Sequence, residues 1–231
     1  IILRRLANVP GSAISFTTLA APKQAKQSYE KAQKMLREKN PKPAEAAKEL
    51  EKAVQIYPQF AAAWNLLGDT RLALKDAEGA RKAFEQSVAA DGKYINPYFQ
   101  LAVLELRASN WNSAANLTNQ LAQLNPQMGQ AHYFNAIANF NLGKMDLAEK
   151  SVRSAMKTDE SGRLPQTHHL LGAILARQGN FPSAAEEFRS YLKVAPNTST
   201  AEQLRKQLAE WEGLGVIERT PAAPKTDKEK E

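Results

Sequence analysis

The order of apolar and polar residues along the chain repeats with a long, fixed period. One alanine position recurs at spacings of 34, 34, 34 and 36 residues, at Ala46, Ala80, Ala114, Ala148 and Ala184. Between these alanines the apolar residues fall into blocks of about 13 residues with the three- and four-residue spacing of amphipathic helices. Turn signals such as Gly143-Lys144 and Gly179-Asn180 separate the blocks. The pattern predicts about five units, each a pair of helices joined by a tight turn.

Two further periodic positions indicate how the helices pack. A small residue stands twelve positions before each of the last four alanines, and these residues are Gly68, Ala102, Ala136 and Gly172. Four positions after the alanines stand Leu50, Phe84, Thr118, Val152 and Phe188. We expect each small residue to face the alanine of the following helix, because small side chains let two helices approach closely. A single pair cannot bury its apolar face, so the units are expected to stack.

These residues resemble the tetratricopeptide repeat (TPR) family, and bacterial members in particular. The second unit carries Trp64, Leu67, Gly68, Ala80 and Phe84, and the fifth carries Leu171, Gly172, Gly179, Ala184, Phe188 and Pro196. The resemblance covers about residues 23–212. It implies an all-α, right-handed solenoid of about five helix-turn-helix repeats plus a C-terminal capping helix. It also implies a scaffold for protein–protein interaction, while saying almost nothing about the partner.

The repeat divides the chain into three parts. The array is expected over residues 23–212, with units at 23–59, 60–94, 95–128, 129–163 and 164–197 and a cap at 198–212. Residues 1–22 contain a β-like alternation and are expected to be the end of an upstream domain, with a signal-peptide remnant as the alternative. Residues 213–231, which are rich in proline and charge, are expected to form a disordered tail.

Two positions depart from the repeat. Thr118 is polar where the pattern favours leucine or phenylalanine, and Asn135 replaces a leucine in the fourth unit. The pattern itself offers no partner for either side chain.

Composition and charge narrow the classes of function. The formal net charge is +7, but the excess lies in the first 60 residues and the long middle of the chain is neutral. Nucleic-acid binders usually concentrate lysine and arginine on the recognition face, so no nucleic-acid partner is expected. No apolar run approaches the roughly 18 residues of a membrane helix, so no integral membrane segment is expected. The compartment stays open, with the bacterial envelope or periplasm slightly preferred to the cytoplasm.

No catalytic or metal-binding constellation is present in the sequence. The absence of cysteine removes thiolate metal sites and cysteine nucleophiles. His132 and His168 occupy equivalent positions of adjacent units, where Trp64 and Tyr98 stand in earlier units, so they are expected to serve in packing. We therefore expect a protein that is not an enzyme and that has no cofactor, no metal and no catalytic residue.

The candidate site is the concave groove that the TPR resemblance implies. In this family the first helix of each unit points defined positions into the groove. The partner-binding residues expected here are Asn65, Asp69, Leu72, Phe99, Val103, Leu106, Tyr133, Ile137, Phe140 and His169. Six of them, from Phe99 to Phe140, are apolar and not required by the repeat, so we expect a central apolar stripe that is open to a partner.

This stripe favours an apolar peptide or an amphipathic helix as the occupant. Two alternatives stay open. One is a structural or dimerisation module whose groove is filled by a second copy, and the other is an accessory domain that positions an enzyme or an envelope-assembly component elsewhere in a longer protein. Some family members grip a C-terminal carboxylate with basic residues, but the matching positions here hold Asn65, Asp69, Gln130 and Phe134. Capture of a carboxylate tail is therefore not expected.

Overall fold

The computed structural model describes residues 15–159 and 164–218. Within these two ranges it contains twelve α-helices and no strand. The helices are α1 (Phe16–Ala20), α2 (Lys23–Arg37), α3 (Pro43–Ile56), α4 (Ala61–Ala73), α5 (Ala77–Ala90), α6 (Ile95–Arg107), α7 (Trp111–Leu124), α8 (Gly129–Asn141), α9 (Met145–Thr158), α10 (Gln166–Arg177), α11 (Phe181–Val194) and α12 (Ser199–Gly213).

The helices form five consecutive pairs that stack into a solenoid. The first and second helices of a unit pack most closely on each other, and each second helix also packs on the first helix of the next unit. The expected all-α solenoid is thus confirmed. Among the first helices, α8 also contacts α6 and α10, whereas the second helices make no comparable contact among themselves in the described chain. The first helices therefore lie on the inner, concave side.

Glycine fits where the two helices of a unit approach most closely. A side-chain carbon added at Gly68 would lie 2.6 Å from Cδ1 of Phe84, and one added at Gly172 would overlap the ring of Phe188. At both glycines the nearest neighbour is therefore the aromatic ring, and the carbon added at Gly172 would also lie 3.1 Å from the carbonyl oxygen of Ala184. The expectation named only the alanine, and at these two glycines the ring comes closer because it is large enough to reach across the helix pair.

The third and fourth units carry a different combination at the same positions. Where the first helix has alanine instead of glycine, at Ala102 and Ala136, the second helix has the smaller Thr118 or Val152 instead of phenylalanine. A larger side chain on the first helix is thus compensated by a smaller one on the second helix, as close packing requires. This exchange explains why the third unit tolerates a threonine.

The two polar departures from the repeat are partners of each other. Asn135 donates a hydrogen bond from Nδ2 to the hydroxyl of Thr118 at 3.0 Å, and this hydroxyl donates to the Ala114 carbonyl at 2.7 Å. Ser151 donates to Oδ1 of Asn135 at 2.8 Å. Because each buried polar atom finds a partner, threonine and asparagine are accommodated between the third and fourth units.

One periodic position links each unit to the preceding helix. The side chains of Trp64, Tyr98 and His132 make hydrogen bonds of 2.8, 3.2 and 2.9 Å to the carbonyls of Pro58, Gly92 and Pro126. His132 thus does structurally what tryptophan and tyrosine do in earlier units. His168, which follows the two-residue longer connection, instead contacts Glu187 with an Nδ1–Oε2 distance of 2.7 Å.

The N-terminal part of the described chain departs from the expected strand. Residues 16–20 form α1, so the β-like reading was wrong for them. Ser15 donates to Oδ2 of Asp91 at 2.7 Å, and Thr17 Oγ1 accepts from the Ala61 amide at 3.1 Å. The alternating hydroxyls thus bind the array instead of lining a sheet face, and Phe16 is exposed. Residues 1–14, on which the upstream-domain expectation also rests, lie outside the described residues.

The C-terminal end of the array extends beyond the expected cap. Ile217 is buried in the same apolar cluster as Trp211 of α12, and Arg189 donates to the Glu218 carbonyl at 3.1 Å. Residues 214–218 therefore pack on the last units, and the expected disordered tail from residue 213 was wrong for this stretch, because an isoleucine was available to be buried. Residues 219–231 lie outside the described residues.

The close approach at Gly172 can be tested by adding one methyl group. We expect Gly172→Ala to lower the free energy of unfolding by about 1–3 kcal/mol, since the added carbon overlaps the Phe188 ring. The control is Gly213→Ala, where nothing lies within 4 Å of the added carbon. Adding Phe188→Val should recover part of the loss, because it recreates the alanine–valine pair of the fourth unit. Urea unfolding measures all four proteins, and equal stability of Gly172→Ala and wild type would contradict this packing.

The turns inside the units offer a second test. The second residue after each of α4, α6, α8 and α10 adopts a left-handed backbone conformation, with φ of 64° at Lys75, 59° at Ser109, 74° at Gly143 and 83° at Gly179. Gly143→Ala should cost about 1 kcal/mol, because the conformation disfavours any Cβ even though the space is open. Ser109→Gly should change the melting temperature in the opposite direction. A higher melting temperature for Gly143→Ala than for wild type would contradict this prediction, because it would show that the turn relaxes to accommodate the Cβ.

Candidate functional site

The ten predicted groove residues lie on α4, α6, α8 and α10, the helices of the concave side. The structure does not join them into a single apolar stripe. It divides them into a polar end on α4, a centre on α6 in which Phe99 is buried, and a half-buried apolar wall on α8 and α10. These three regions have different chemistry.

The apolar wall is formed by Tyr133, Ile137 and Phe140, which follow one another along α8. All three are half-buried and pack against the apolar cluster of the fifth unit. The guanidinium of Arg177 lies 4.9 Å from the centre of the Phe140 ring, a distance at which a cation is attracted to an aromatic face. The wall is thus anchored on one side and keeps part of its surface accessible.

The centre of the groove differs from the expectation. Phe99 is only 1% exposed and packs with its ring centre 5.6 Å from that of Phe134. It belongs to the core, so its assignment as an exposed anchor was wrong. The position was misjudged because the ring turns toward the neighbouring first helix, where Phe134 fills the space between units. Leu72, Val103 and Leu106 are half-buried.

His169 closes the wall at the fifth unit. Its ring centre lies 5.7 Å from that of Tyr191 and 6.1 Å from that of Phe188. Burial lowers the pKa of His169 below its usual value, because desolvation disfavours the charged imidazolium. At neutral pH this side chain is therefore a neutral aromatic contact in the groove.

The polar end is built around one carboxylate. Asp69 accepts a hydrogen bond from Asn65 at 3.2 Å and one from Gln100 of the next unit at 2.9 Å. Burial raises the pKa of Asp69 to about 7, since desolvation penalises the charged form more than the bond from Gln100 favours it. In the described parts of the chain no lysine, arginine or histidine pairs with this carboxylate.

Sequence reasoning missed Gln100 and two tyrosines that border this end. Burial raises the pKa of Tyr94 to about 12 and also raises that of Tyr29, and the negative charge of Asp69 contributes to both shifts. Gln100 stands 31 residues after Asp69, and Phe134 stands 31 residues after Val103. This offset between neighbouring first helices is the signal by which Gln100 could have been found.

A metal centre and a membrane-spanning helix each require a particular arrangement of residues. Over residues 15–159 and 164–218, no three histidine, aspartate or glutamate side chains are grouped so that they could hold a metal ion. Over the same residues, no helix has the length and apolar character needed to cross a membrane. The matching positions for a carboxylate clamp hold no basic residue, and Asp69 would repel a carboxylate.

A solenoid of stacked helix pairs with a partly open concave groove defines a helical-repeat protein of the interaction-scaffold class. The sequence comparisons specify the class further. Models described as tetratricopeptide repeat match residues 38–103 and 99–162, which together span more than half of the chain. The chain belongs to the tetratricopeptide repeat family, whose members bind protein or peptide partners.

One curated relative and several solved structures are similar to the chain. A TPR repeat-containing protein of Pseudomonas aeruginosa is 46% identical over 44 residues, which are 19% of this chain and 42% of that protein, so the match spans less than half of the relative. YrrB, described as a TPR protein with an unusual peptide-binding site, has a TM-score of 0.70 and 17% identity, covering 82% of this chain and 96% of its own.

Two further structures agree in fold. A MamA fragment from Desulfovibrio magneticus RS-1 has a TM-score of 0.66 and 16% identity, and the match covers 78% of this chain and 99% of the fragment. A tetratricopeptide repeat protein from Parabacteroides merdae has a TM-score of 0.69 and 17% identity, covering 84% of this chain and 76% of its own. At these identities the likeness shows the shared fold alone.

The raised pKa of Asp69 predicts a pH-dependent stability. An aspartate that titrates near 7 when folded and near 4 when unfolded binds its proton more tightly in the folded state. Its contribution to stability is therefore greatest below about pH 4 and is lost as the pH rises toward 7. We expect Asp69→Asn to be more stable than wild type at about pH 8, by on the order of 1–2 kcal/mol, and the gain to shrink at about pH 5.

Urea unfolding of both proteins at the two pH values measures this difference. The matched control is Asp146→Asn, which removes an exposed carboxylate from the first turn of α9. A gain that is independent of pH, or one that the control shares, would contradict the desolvation of Asp69.

Proposed function

We propose that the chain is a non-enzymatic scaffold that holds an apolar peptide or an amphipathic helix in its concave groove. The observation that carries this proposal is the wall on α8. Tyr133, Ile137 and Phe140 are large apolar residues that are only half-buried in the folded array. Because apolar surface of this kind is costly to leave in water, it typically marks an interaction site.

The charge distribution along the wall supports an apolar occupant. Helix α8 carries no lysine, arginine, aspartate or glutamate, and α6 carries only Glu105, which is buried and pairs with Arg81, and the exposed Arg107. Screening by salt acts on charged contacts, so binding to the wall should depend weakly on ionic strength. An amphipathic helix would present its apolar side to the wall and its polar side to solvent.

The likeness to YrrB supports the same reading. That protein is described as having an unusual peptide-binding site, and the match in fold covers 82% of the present chain. A solenoid of this shape offers a long concave surface in which an extended or helical segment contacts several units at once. A second copy of the chain, or a domain elsewhere in a longer protein, would be a different occupant of the same surface.

The proposal is tested by truncating the wall. Peptides selected from a phage-displayed random library on the full chain supply the ligand, and fluorescence anisotropy measures their affinity. We expect Tyr133→Ala with Phe140→Ala to weaken binding by more than about 2 kcal/mol, or roughly thirtyfold, because central aromatic anchors dominate interface energies. Phe99 is not truncated, since its removal would open a cavity in the core.

The control is Leu147→Ala, which removes an apolar side chain that is 50% exposed on α9, outside the groove. Its affinity should equal that of wild type, and circular dichroism verifies the fold of each variant. Light scattering tests the self-filled alternative: a dimer that Tyr133→Ala with Phe140→Ala dissociates would assign the groove to a second copy. Unchanged peptide affinity of the double variant would exclude the wall as the binding surface.

A further inference from the structure

The polar end of the groove contains hydrogen-bond acceptors that the folded chain leaves unused. Asn65 is 7% exposed, and its Oδ1 has no hydrogen-bond partner. Asn96 of α6 also has a buried Oδ1 without a partner, although its Nδ2 donates to the Tyr94 hydroxyl. Leaving a buried acceptor unsatisfied costs free energy, so such groups in a groove indicate a donor that binds there.

The carboxylate of Asp69 adds further acceptor capacity. Each of its oxygens accepts one bond, from Asn65 or from Gln100, whereas an ionised carboxylate accommodates about four. We call the group formed by Asn65, Asp69, Asn96 and Gln100 the acceptor pocket. The two buried side-chain atoms of this group that lack a hydrogen-bond partner, Oδ1 of Asn65 and Oδ1 of Asn96, are both acceptors, and its central carboxyl group becomes negative on ionisation.

The repeat itself does not require polar residues here. The pair Asp69 and Gln100 corresponds to Val103 and Phe134 in the next pair of units, and then to Ile137 and Leu170. Both later pairs are apolar: Leu170 is buried in a core cluster, and Val103, Phe134 and Ile137 pack against core clusters. Since the solenoid is built with apolar residues at this register, the carboxylate at position 69 is a local feature that packing does not explain.

We propose that the acceptor pocket receives the arginine side chain of a peptide bound in the groove. This inference rests on the proposed function and names the partner chemistry at one end of the same site. A guanidinium carries five N–H donors in a planar fork, which matches the Asp69 carboxylate and the unpaired Oδ1 of the adjacent Asn65 better than the compact ammonium of lysine does. The bound peptide would therefore place an arginine beside the apolar residues that contact the α8 wall.

The electrostatics of the pocket agree with this assignment. A carboxylate that is largely removed from water and lacks a cationic partner is unfavourable in its charged form, and a bound guanidinium supplies the missing counter-charge. The titratable side chains whose charge acts together with that of Asp69 are Tyr29 of α2 and Tyr94 at the start of α6. Both phenols stay protonated near neutral pH, so Asp69 alone changes charge there.

The experiment uses the full chain and the random-peptide library, selected at about pH 8, where Asp69 is ionised. Peptides selected on wild type should share an arginine at a fixed distance from their apolar residues, and those selected on Asp69→Asn should not. Asp146→Asn, with the same loss of charge on the exposed start of α9, should select the same peptides as wild type.

Affinity measurements then isolate the guanidinium. One selected peptide is compared with versions in which citrulline or lysine replaces the arginine. On wild type, citrulline should weaken binding by at least about tenfold, since hydrogen bonds to charged groups contribute more than neutral ones, and lysine should fall between the two. On Asp69→Asn the arginine and citrulline peptides should bind equally, and an unchanged ratio would overturn the inference.

A pH series on wild type keeps the test decisive even if the variant folds poorly. Affinity for the arginine peptide should fall by about tenfold from pH 8 to about pH 6 as Asp69 takes up a proton, while affinity for the citrulline peptide stays nearly constant. Equal affinities at both pH values would overturn the assignment. Selected peptides that lack arginine but need Tyr133 and Phe140 would leave the proposed function standing and remove this inference alone, whereas peptides that ignore the wall would remove both.

Discussion

The architecture depends on how closely the two helices of a unit can approach each other. In the second and fifth units this distance is set by a glycine against the face of a phenylalanine, Gly68 with Phe84 and Gly172 with Phe188. The third and fourth units reach the same arrangement with alanine against threonine or valine. Because volume is conserved across the pair, successive units have the same thickness and can stack. The first helices then lie side by side on one surface, and the groove follows from this geometry.

The positions of the first helices that the packing of the repeat does not require can hold side chains that bind a ligand. On α8 they carry Tyr133, Ile137 and Phe140, which form an apolar wall without charge. On α4 the corresponding region carries Asp69, whose pKa burial raises to about 7. Under the proposed function, the two ends of one groove bind different groups of a single ligand. Apolar contact contributes affinity along the wall, and a directional, charged contact at the other end would contribute selectivity.

Most of the fold could be predicted because the same helix–helix contacts recur in several units, so the residues that make them form a visible pattern. The recurring alanines and glycines predict helix pairs, and the offset of about one period predicts their stacking. The ends share no period, so α1 and the burial of Ile217 depend on individual contacts that no pattern repeats. Phe99 was misplaced for a related reason: a helix position predicts the side that a residue occupies, but the direction of a large ring depends on Phe134 across the unit boundary. The bonds from Asn65 and Gln100 to Asp69 likewise join two units and follow no local spacing.

The central claim is that one ligand lies along the concave side, from α4 to α8. Amide hydrogen exchange of the full chain, with and without a selected peptide, tests this claim most directly, because protection reports where the backbone is stabilised by binding. We expect added protection on α4, α6 and α8, continuous across the second, third and fourth units. Protection confined to α5, α7 and α9 would place the ligand on the opposite surface and contradict the account.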